Sequence, residues 1–319
     1  MVLGVPAGWY FGGGGEQWRE GLELRAMCRG AVDTAEVKEL FRTRERVRGR
    51  DMTSSKSESA HCWVYGEGDP SGFSVDIGPS GEEAAQALRR LGWYDSFTSS
   101  NLAVPTGAGW SGVLRVVAKQ PVLVMVVPCG AEPLIVSLHS QSLGSPAADD
   151  PEQRARFGRI GARVAERASV EWGCGAVSGG RIERIGAEGD GARPTPGTAS
   201  GTCAGVPGVV QEWPTDGKAP IEVCRAFPSD SADSWYRPLS AFYPPFGTAV
   251  RPALGIDPGS SGPGEAERRI WATAACPGGE ALYLVQGDKE PNGAFLREAL
   301  AGFARESAER HGCAEPVLP

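Results

Sequence analysis

Residues 123–141, LVMVVPCGAEPLIVSLHSQ, lead into 157–175, FGRIGARVAERASVEWGCG, and the chain contains a second version of the pair: 270–288, IWATAACPGGEALYLVQGD, then 295–314, FLREALAGFARESAERHGCA. Each version runs through an apolar strand, a Cys beside Pro and Gly in a tight turn, a second apolar strand, a polar loop, an amphipathic helix and Gly-Cys. Phe157, Ile160, Val164, Ala168 and Trp172 recur at helical spacing in the first helix, and Leu296, Leu300 and Phe303 in the second. One face of each helix is therefore expected to be buried. Asp150 before Pro151 reads as an N-cap with a proline at the first helical position. Gly173 and Gly312 read as the left-handed residues that close the two helices.

The residue after each closing glycine is a cysteine. The eight cysteines, Cys28, Cys62, Cys129, Cys174, Cys203, Cys224, Cys276 and Cys313, include no C-x-x-C pair. Their number alone permits four disulfides in an oxidising compartment or eight buried thiols in a reducing one. Their positions separate the two. A cysteine just beyond a helix, with another in the turn of the hairpin on which that helix packs, is what a helix-to-sheet bridge requires, so Cys129 pairs with Cys174 and Cys276 with Cys313. Upstream lie MCRGAVDTAEVKELF (27–41) with AHCWVYG (60–66), and TCAGVPGVVQEW (202–213) with EVCRAF (222–227). Asp33 and Glu36 form a capping box that opens a helix burying Val37, Leu40 and Phe41. By position Cys28 pairs with Cys62 and Cys203 with Cys224. On the loop-entropy model each bridge contributes roughly 3 to 4 kcal/mol.

A chain of 319 residues, 41% hydrophobic and 22% charged, is long enough for two domains, and its 45 Gly and 25 Pro exclude a fold of long helices alone. Strands are expected at 62–65, 73–77, 113–118, 122–127, 134–138, 221–227, 270–275 and 282–286, with a further helix at 82–91. The fold class is α+β: two similar lobes, each a mainly antiparallel sheet with helices on one face, stapled by disulfides. Residues 1–20 form a tail, 21–185 the first lobe and 202–319 the second. The Gly/Pro-rich stretch 186–201, GAEGDGARPTPGTASG, reads as a flexible linker between them. Stretches 50–60, 142–150 and 255–265 read as surface loops.

A formal charge of −7 gives no electrostatic footprint for nucleic acid and disfavours anionic membranes. With His61, His139 and His311 isolated in sequence, no metal site is expected, and structural or surface roles fit all three. Motifs for a nucleophile elbow, a phosphate loop or a dinucleotide fold are absent, so no cofactor is expected. Ser80 and Ser111 sit among glycines without a neighbouring histidine and read as turn residues. In the acidic pair Asp149-Asp150, capping explains the second member without a cation. Neither Asn101 nor Asn292 opens a glycosylation sequon. The remaining binding signal is aromatic: Trp93-Tyr94, Trp110, Trp235-Tyr236 and Phe242-Tyr243. Trp110 and Trp235 are the expected walls of a ligand site in the crevice that two linked lobes would create.

The opening MVLGVPAGWYFGGGG is uncharged, too short to span a bilayer, and lacks a basic region, an A-x-A site and a lipobox cysteine. Reconciling this with disulfides requires Met1 to be an internal start, with a membrane segment upstream whose last turn is this apolar tail; the alternative is a cytoplasmic leader.

The string Cys28 to Phe41 followed by Cys62-Trp63 resembles the opening of small actinobacterial extracytoplasmic lipoproteins and of mycobacterial receptor-kinase sensor domains. In those proteins a Cys precedes a short helix with a Glu-Val-x-x-Leu core and a Cys-Trp strand follows. The use of 27 Arg against 5 Lys is similar to that of high-GC actinobacterial proteins. The resemblance covers about 40 residues of the first lobe and departs from the lipoprotein pattern in the missing lipobox cysteine. It implies an exported or membrane-anchored domain of the sensor or lipid-carrier kind, without catalytic machinery. The expected function is non-catalytic extracytoplasmic binding of a small molecule, glycan or protein, the membrane being met only through an upstream anchor. The runner-up is a secreted, glycosidase-like hydrolase working through two carboxylates roughly 5 to 10 Å apart.

Overall fold

The computed structural model describes residues 27–32, 34–41, 46–53, 58–67, 72–93, 102–141, 150–227, 236–257, 259–266, 268–286 and 293–319. The tail 1–20, Asp33, Tyr94, Asp149 and Trp235 lie outside the described residues.

The first lobe contains α1 (Thr34–Phe41), β1 (Val47–Asp51), β2 (Ala60–Gly66), β3 (Gly72–Pro79), α2 (Ser80–Arg90), β4 (Val104–Pro105), β5 (Gly112–Val117), β6 (Gln120–Val127), β7 (Leu134–Ser140) and α3 (Pro151–Glu171). The second contains β8 (Val209–Gln211), β9 (Ile221–Phe227), β10 (Arg237–Phe242), α4 (Phe246–Ala249), β11 (Gly264–Ala266), β12 (Arg269–Cys276), β13 (Gly279–Gln286) and α5 (Gly293–Arg310). Sheet order is β1-β2-β3-β7-β6-β5-β4 in one lobe and β8-β9-β10-β13-β12-β11 in the other, with every pairing antiparallel. Six strands of the first sheet, β1-β2-β3-β7-β6-β5, are thus traced in the same order as β8-β9-β10-β13-β12-β11, and β4 is an added edge strand of the first lobe.

The long helices form where the sequence places their ends. Asp150 accepts the Glu152 N–H at 2.9 Å and Pro151 occupies the first turn. At the other end Gly173 takes φ 70°, and the Cys174 N–H reaches back to the Ser169 carbonyl at 2.7 Å. Gly312 (φ 65°) and Cys313, bonded to Ala308 at 2.9 Å, repeat that closure on α5. Phe157, Ile160 and Val164 are buried on α3, and Leu296, Leu300 and Phe303 on α5. Each such side chain contributes roughly 1.5 to 3 kcal/mol of hydrophobic burial. Gly161 lets α3 lie close over Leu123 and Met125.

Four disulfides join Cys28–Cys62, Cys129–Cys174, Cys203–Cys224 and Cys276–Cys313, with Cα separations of 5.7, 4.3, 5.0 and 4.1 Å. No cysteine is free.

Each sheet carries its long helix on the outer face and turns the inner face toward the other lobe. Val113, Val122, Val124 and Ile135 from the first sheet share one buried cluster with Ile221, Val223, Leu282 and Leu284 from the second. Trp93 meets Phe242 edge-on there, with ring centroids 4.9 Å apart. Helices α2 and α4 also lie at this junction, where they touch. The expected open crevice is therefore filled: apolar inner faces removed from water gain more by packing together than a hydrated cleft would give.

Nor does the stretch 186–201 run free. Trp213 Nε1 donates to the Ala187 carbonyl at 3.0 Å, Ala192 and Glu212 exchange backbone hydrogen bonds at 2.8 and 2.9 Å, and just upstream the buried Arg154 holds the Ile185 carbonyl at 3.0 Å. A composition poor in apolar side chains is fastened by partners elsewhere in the chain. Strands β1, β4, β8, β10 and β11 were not among those expected; all but β10 are short or lie at sheet edges, where alternation is weakest.

Candidate functional site

A groove lined by four ionisable side chains, His61, Asp76, Glu83 and Arg90, lies over β2, β3 and α2. Adjacent strands bring His61 and Asp76 directly opposite each other on the inner face of the first sheet. Helix α2 then passes above them, presenting Glu83, Gln86 and Arg90 at positions three and four apart, hence on one face. Met52, Thr53, Ser59 and Ala60 complete the walls of a groove of about 330 Å³.

Asp76 is the buried centre, with a side chain only 7% exposed. A carboxylate at that depth must be compensated. Arg90 grips both its oxygens, Nη2 lying 2.9 Å from Oδ1 and Nη1 closing on Oδ2. His61 Nδ1 lies 2.5 Å from Oδ1. An ionised carboxylate only accepts, so Nδ1 carries a proton, and in the neutral ring Nε2 is then the acceptor nitrogen. The ring is 37% exposed, which leaves it accessible from the groove. Its backbone is fixed independently: the Thr53 hydroxyl accepts from the His61 N–H at 2.9 Å and donates to the His61 carbonyl at 3.2 Å.

Glu83 closes the opposite wall. Burial, and after it the charge on Asp76, push the Glu83 carboxyl above the usual carboxylate range; the Ser59 hydroxyl and Arg90 act in the other direction and are outweighed. Gly78 lies beneath, and a Cβ there would collide with Ser59 and Glu83. Along the same face His139 is held below its ordinary pKa by burial and then by the Arg90 charge, with Asp76 opposing. Among the described residues no three metal-ligating side chains converge.

Trp110 is not on this groove. It is 6% exposed, with Nε1 bonded to the Gly180 carbonyl at 2.9 Å, and it backs a second, smaller cleft of about 230 Å³ beside Arg159 and Glu36. Arg159 is engaged there by Glu36 at 3.0 Å, Glu152 at 3.3 Å and the Ile182 carbonyl at 3.0 Å. Trp110 is packed at the edge of the first lobe, beside Gly109, whose N–H donates to Asp216 of the second lobe at 2.7 Å. Ser80 is the first residue of α2, not a turn residue, with its N–H on the Pro133 carbonyl at 2.9 Å; the Ser111 carbonyl accepts the Val126 N–H at 2.8 Å just before β5.

His311 joins a different network inside the second lobe. Its ring stacks on Tyr243 at 3.4 Å, and Nε2 lies 3.3 Å from Glu222 Oε1. The wholly buried Glu222 also accepts from Thr215 (2.6 Å), Ser307 (2.7 Å) and Arg310 (2.9 Å). Burial raises the Glu222 pKa, but His311, Arg310 and the Thr215 hydroxyl together outweigh it and hold the group at about 2. A carboxylate so enclosed braces α5 against β9 and has no opening to a ligand.

The sequence carries one signal for the groove. Asp76 stands inside the apolar run FSVDIG, and a charge at the centre of a strand buried on both faces demands partners.

No family model matches the chain, and no curated protein is similar to it. Among solved structures, the crystal structure of DynU16, a protein in the dynemicin biosynthetic locus, aligns with 88% of this chain and 86% of that chain at 11% identity; its TM-score of 0.14 carries no argument about fold or function.

Proposed function

We propose that the chain is a binding protein that works outside the cytoplasm and that the His61–Asp76–Arg90 groove is its ligand site. The observation that carries this reading is the pairing of an oriented, accessible imidazole with a buried carboxylate whose charge Arg90 already balances. Such a triad gives a fixed hydrogen-bonding surface at little reorganisation cost, which is what selective binding of a small polar molecule needs. The four disulfides support an oxidising location. Among the described residues no helix is long and apolar enough to cross a membrane, so any anchor belongs to chain outside them. Kinship with actinobacterial sensor domains or lipoproteins is part of the same proposal and rests on the Cys28–Cys62 opening.

One observation favours a hydrolase as second reading: an imidazole with Nδ1 on a carboxylate and Nε2 toward a groove is the arrangement of a general base. Against it, no Ser, Thr or Cys side chain is hydrogen-bonded to Nε2 among the described residues, and every thiol is in a disulfide.

A thermal-shift screen of the whole chain against sugars, amino acids and amines, repeated on His61→Ala, separates these readings. The binding reading expects a saturable rise in melting temperature that His61→Ala removes, with the ligand recovered unchanged. A rise that His61→Ala leaves intact would place the site elsewhere. Turnover of chromogenic glycosides or esters that His61→Ala abolishes would establish the hydrolase instead.

A further inference from the structure

We infer that the ligand of this groove is an organic cation, presenting an ammonium or guanidinium group on an alkyl stem; the inference rests on the binding reading above and sharpens it. The argument is one of hydrogen-bonding capacity. Most donors at the groove are engaged within the protein. Arg90 commits its charge and one N–H from each terminal nitrogen to Asp76, the His61 Nδ1–H goes to the same carboxylate, Ser59 donates to Glu82 at 3.2 Å and Thr53 to the His61 carbonyl. What the walls offer a guest is the Nε2 lone pair of the neutral His61 ring, the Glu83 carboxylate and the Gln86 amide, which can turn its oxygen to a donor.

Charge points the same way. Asp76 is balanced by Arg90, whereas Glu83 stands close to Asp76 and Glu82 and, among the described residues, has the Ser59 hydroxyl and the Arg90 charge near it but no ion pair within 4.0 Å. A guest cation between Glu83 and His61 Nε2 would supply donors to both and remove the repulsion among the carboxylates. An anion would meet acceptors and negative charge, and a bare metal ion would lack a third protein ligand. At the rim Met52 is 47% exposed, a flexible apolar side chain along which the methylenes of an aminoalkyl group can lie.

The lobes give an independent reason to see a site here. The pair Cys62↔Val75 in one sheet matches Cys224↔Leu239 in the other, so His61 and Asp76 correspond to Val223 and Ser240. The same strand path folds without the charged pair, so the fold itself does not call for it.

The test uses the full chain with its histidines isotopically labelled. There are three in the whole sequence, which makes each resonance readable. Spermidine and L-arginine are titrated as cationic probes, with L-glutamate and glucose for comparison, against the parent, Glu83→Gln and the exposed control Glu171→Gln on the outer helix α3. The expected result is saturable movement of the His61 signal by the cations alone, about tenfold or more weaker in Glu83→Gln and unchanged in Glu171→Gln. Movement of His61 by glutamate or glucose, but not by the cations, would overturn the cation inference and leave the groove as a site. Binding of the cations with His61 unmoved would overturn the groove reading itself. Absence of binding by either cation overturns the inference, and so does an unaltered affinity in Glu83→Gln.

Discussion

The two lobes follow one path and invest their polar groups on opposite sides of it. Matching the sheets through their disulfides places Ala60, Ile77 and Val136 of the first lobe where the second has Glu222, Ala241 and Tyr283. Matching the helices through Gly173-Cys174 and Gly312-Cys313 sets Ala168 and Trp172 against Ser307 and His311. Under its long helix the first lobe is therefore apolar, while the second holds the Glu222 network. On the inner face the order reverses: His61, Asp76, Ser137 and His139 stand against Val223, Ser240, Leu284 and Gln286. The lesson is that one backbone tolerates a buried polar cluster in either place, provided its hydrogen bonds close. A closed cluster beneath a helix holds the fold together, and a cluster with an acceptor open to a groove is available to a ligand.

Several substitutions sharpen that contrast. The largest effect belongs to Glu222→Ala, which leaves Arg310 and His311 beside an uncompensated buried space; a loss of about 3 to 5 kcal/mol in urea unfolding is expected. If the loss were under 1 kcal/mol, the network would be ornamental and the distinction between the lobes would collapse. Next are the helix-to-sheet bridges. Removing Cys129–Cys174 or Cys276–Cys313 as Ala pairs is expected to cost about 3 to 4 kcal/mol each, and nearly the same amount, because the enclosed separations of 45 and 37 residues differ little in loop entropy. Strongly unequal melting temperatures for the two double variants would show that the bridges serve different ends.

Acid tests the Glu222 network in another way. With its folded pKa depressed to about 2 from the usual 4.5, Glu222 contributes stability that is fully present above pH 4.5 and lost as pH falls toward 2. Linkage sets the amount at about 3 kcal/mol. Denaturant midpoints measured across that window should fall in the parent, and fall less steeply in Glu222→Gln; parallel curves would contradict the assignment. The smallest effect is His61→Ala, expected below about 1 kcal/mol because the ring is more than a third exposed.

Much of the scaffold was legible in the sequence because it repeats. A glycine that must turn left-handed followed by a cysteine, found twice, fixes the end of a helix, the partner of a bridge and the hairpin beneath. Asp150 with Pro151 fixed the start of α3 in the same local way. The groove was harder to see, since His61, Asp76 and Arg90 lie 14 or 15 positions apart and meet only through strand register and the passage of α2 overhead. Tryptophan content pointed to Trp110, yet a large ring with one N–H is satisfied equally well by a backbone carbonyl in a packed edge, as Gly180 provides. The stretch 186–201 misled for a related reason: composition reports what a segment lacks, not that Trp213 and Glu212 hold it from outside.

The central claim is that the charged groups of the first lobe serve a ligand and not the fold, and the most direct measurement is chemical denaturation of a single variant. His61→Val and Asp76→Ser give the first lobe the residues of the second at those positions, and Arg90→Met removes the cation that Asp76 would leave unpaired. Replacing a buried ion pair with apolar side chains is commonly neutral or stabilising, so the unfolding midpoint of this triple variant should equal or exceed that of the parent. A loss of about 3 kcal/mol or more would show that His61, Asp76 and Arg90 are structural, and would contradict the assignment of the groove as a site.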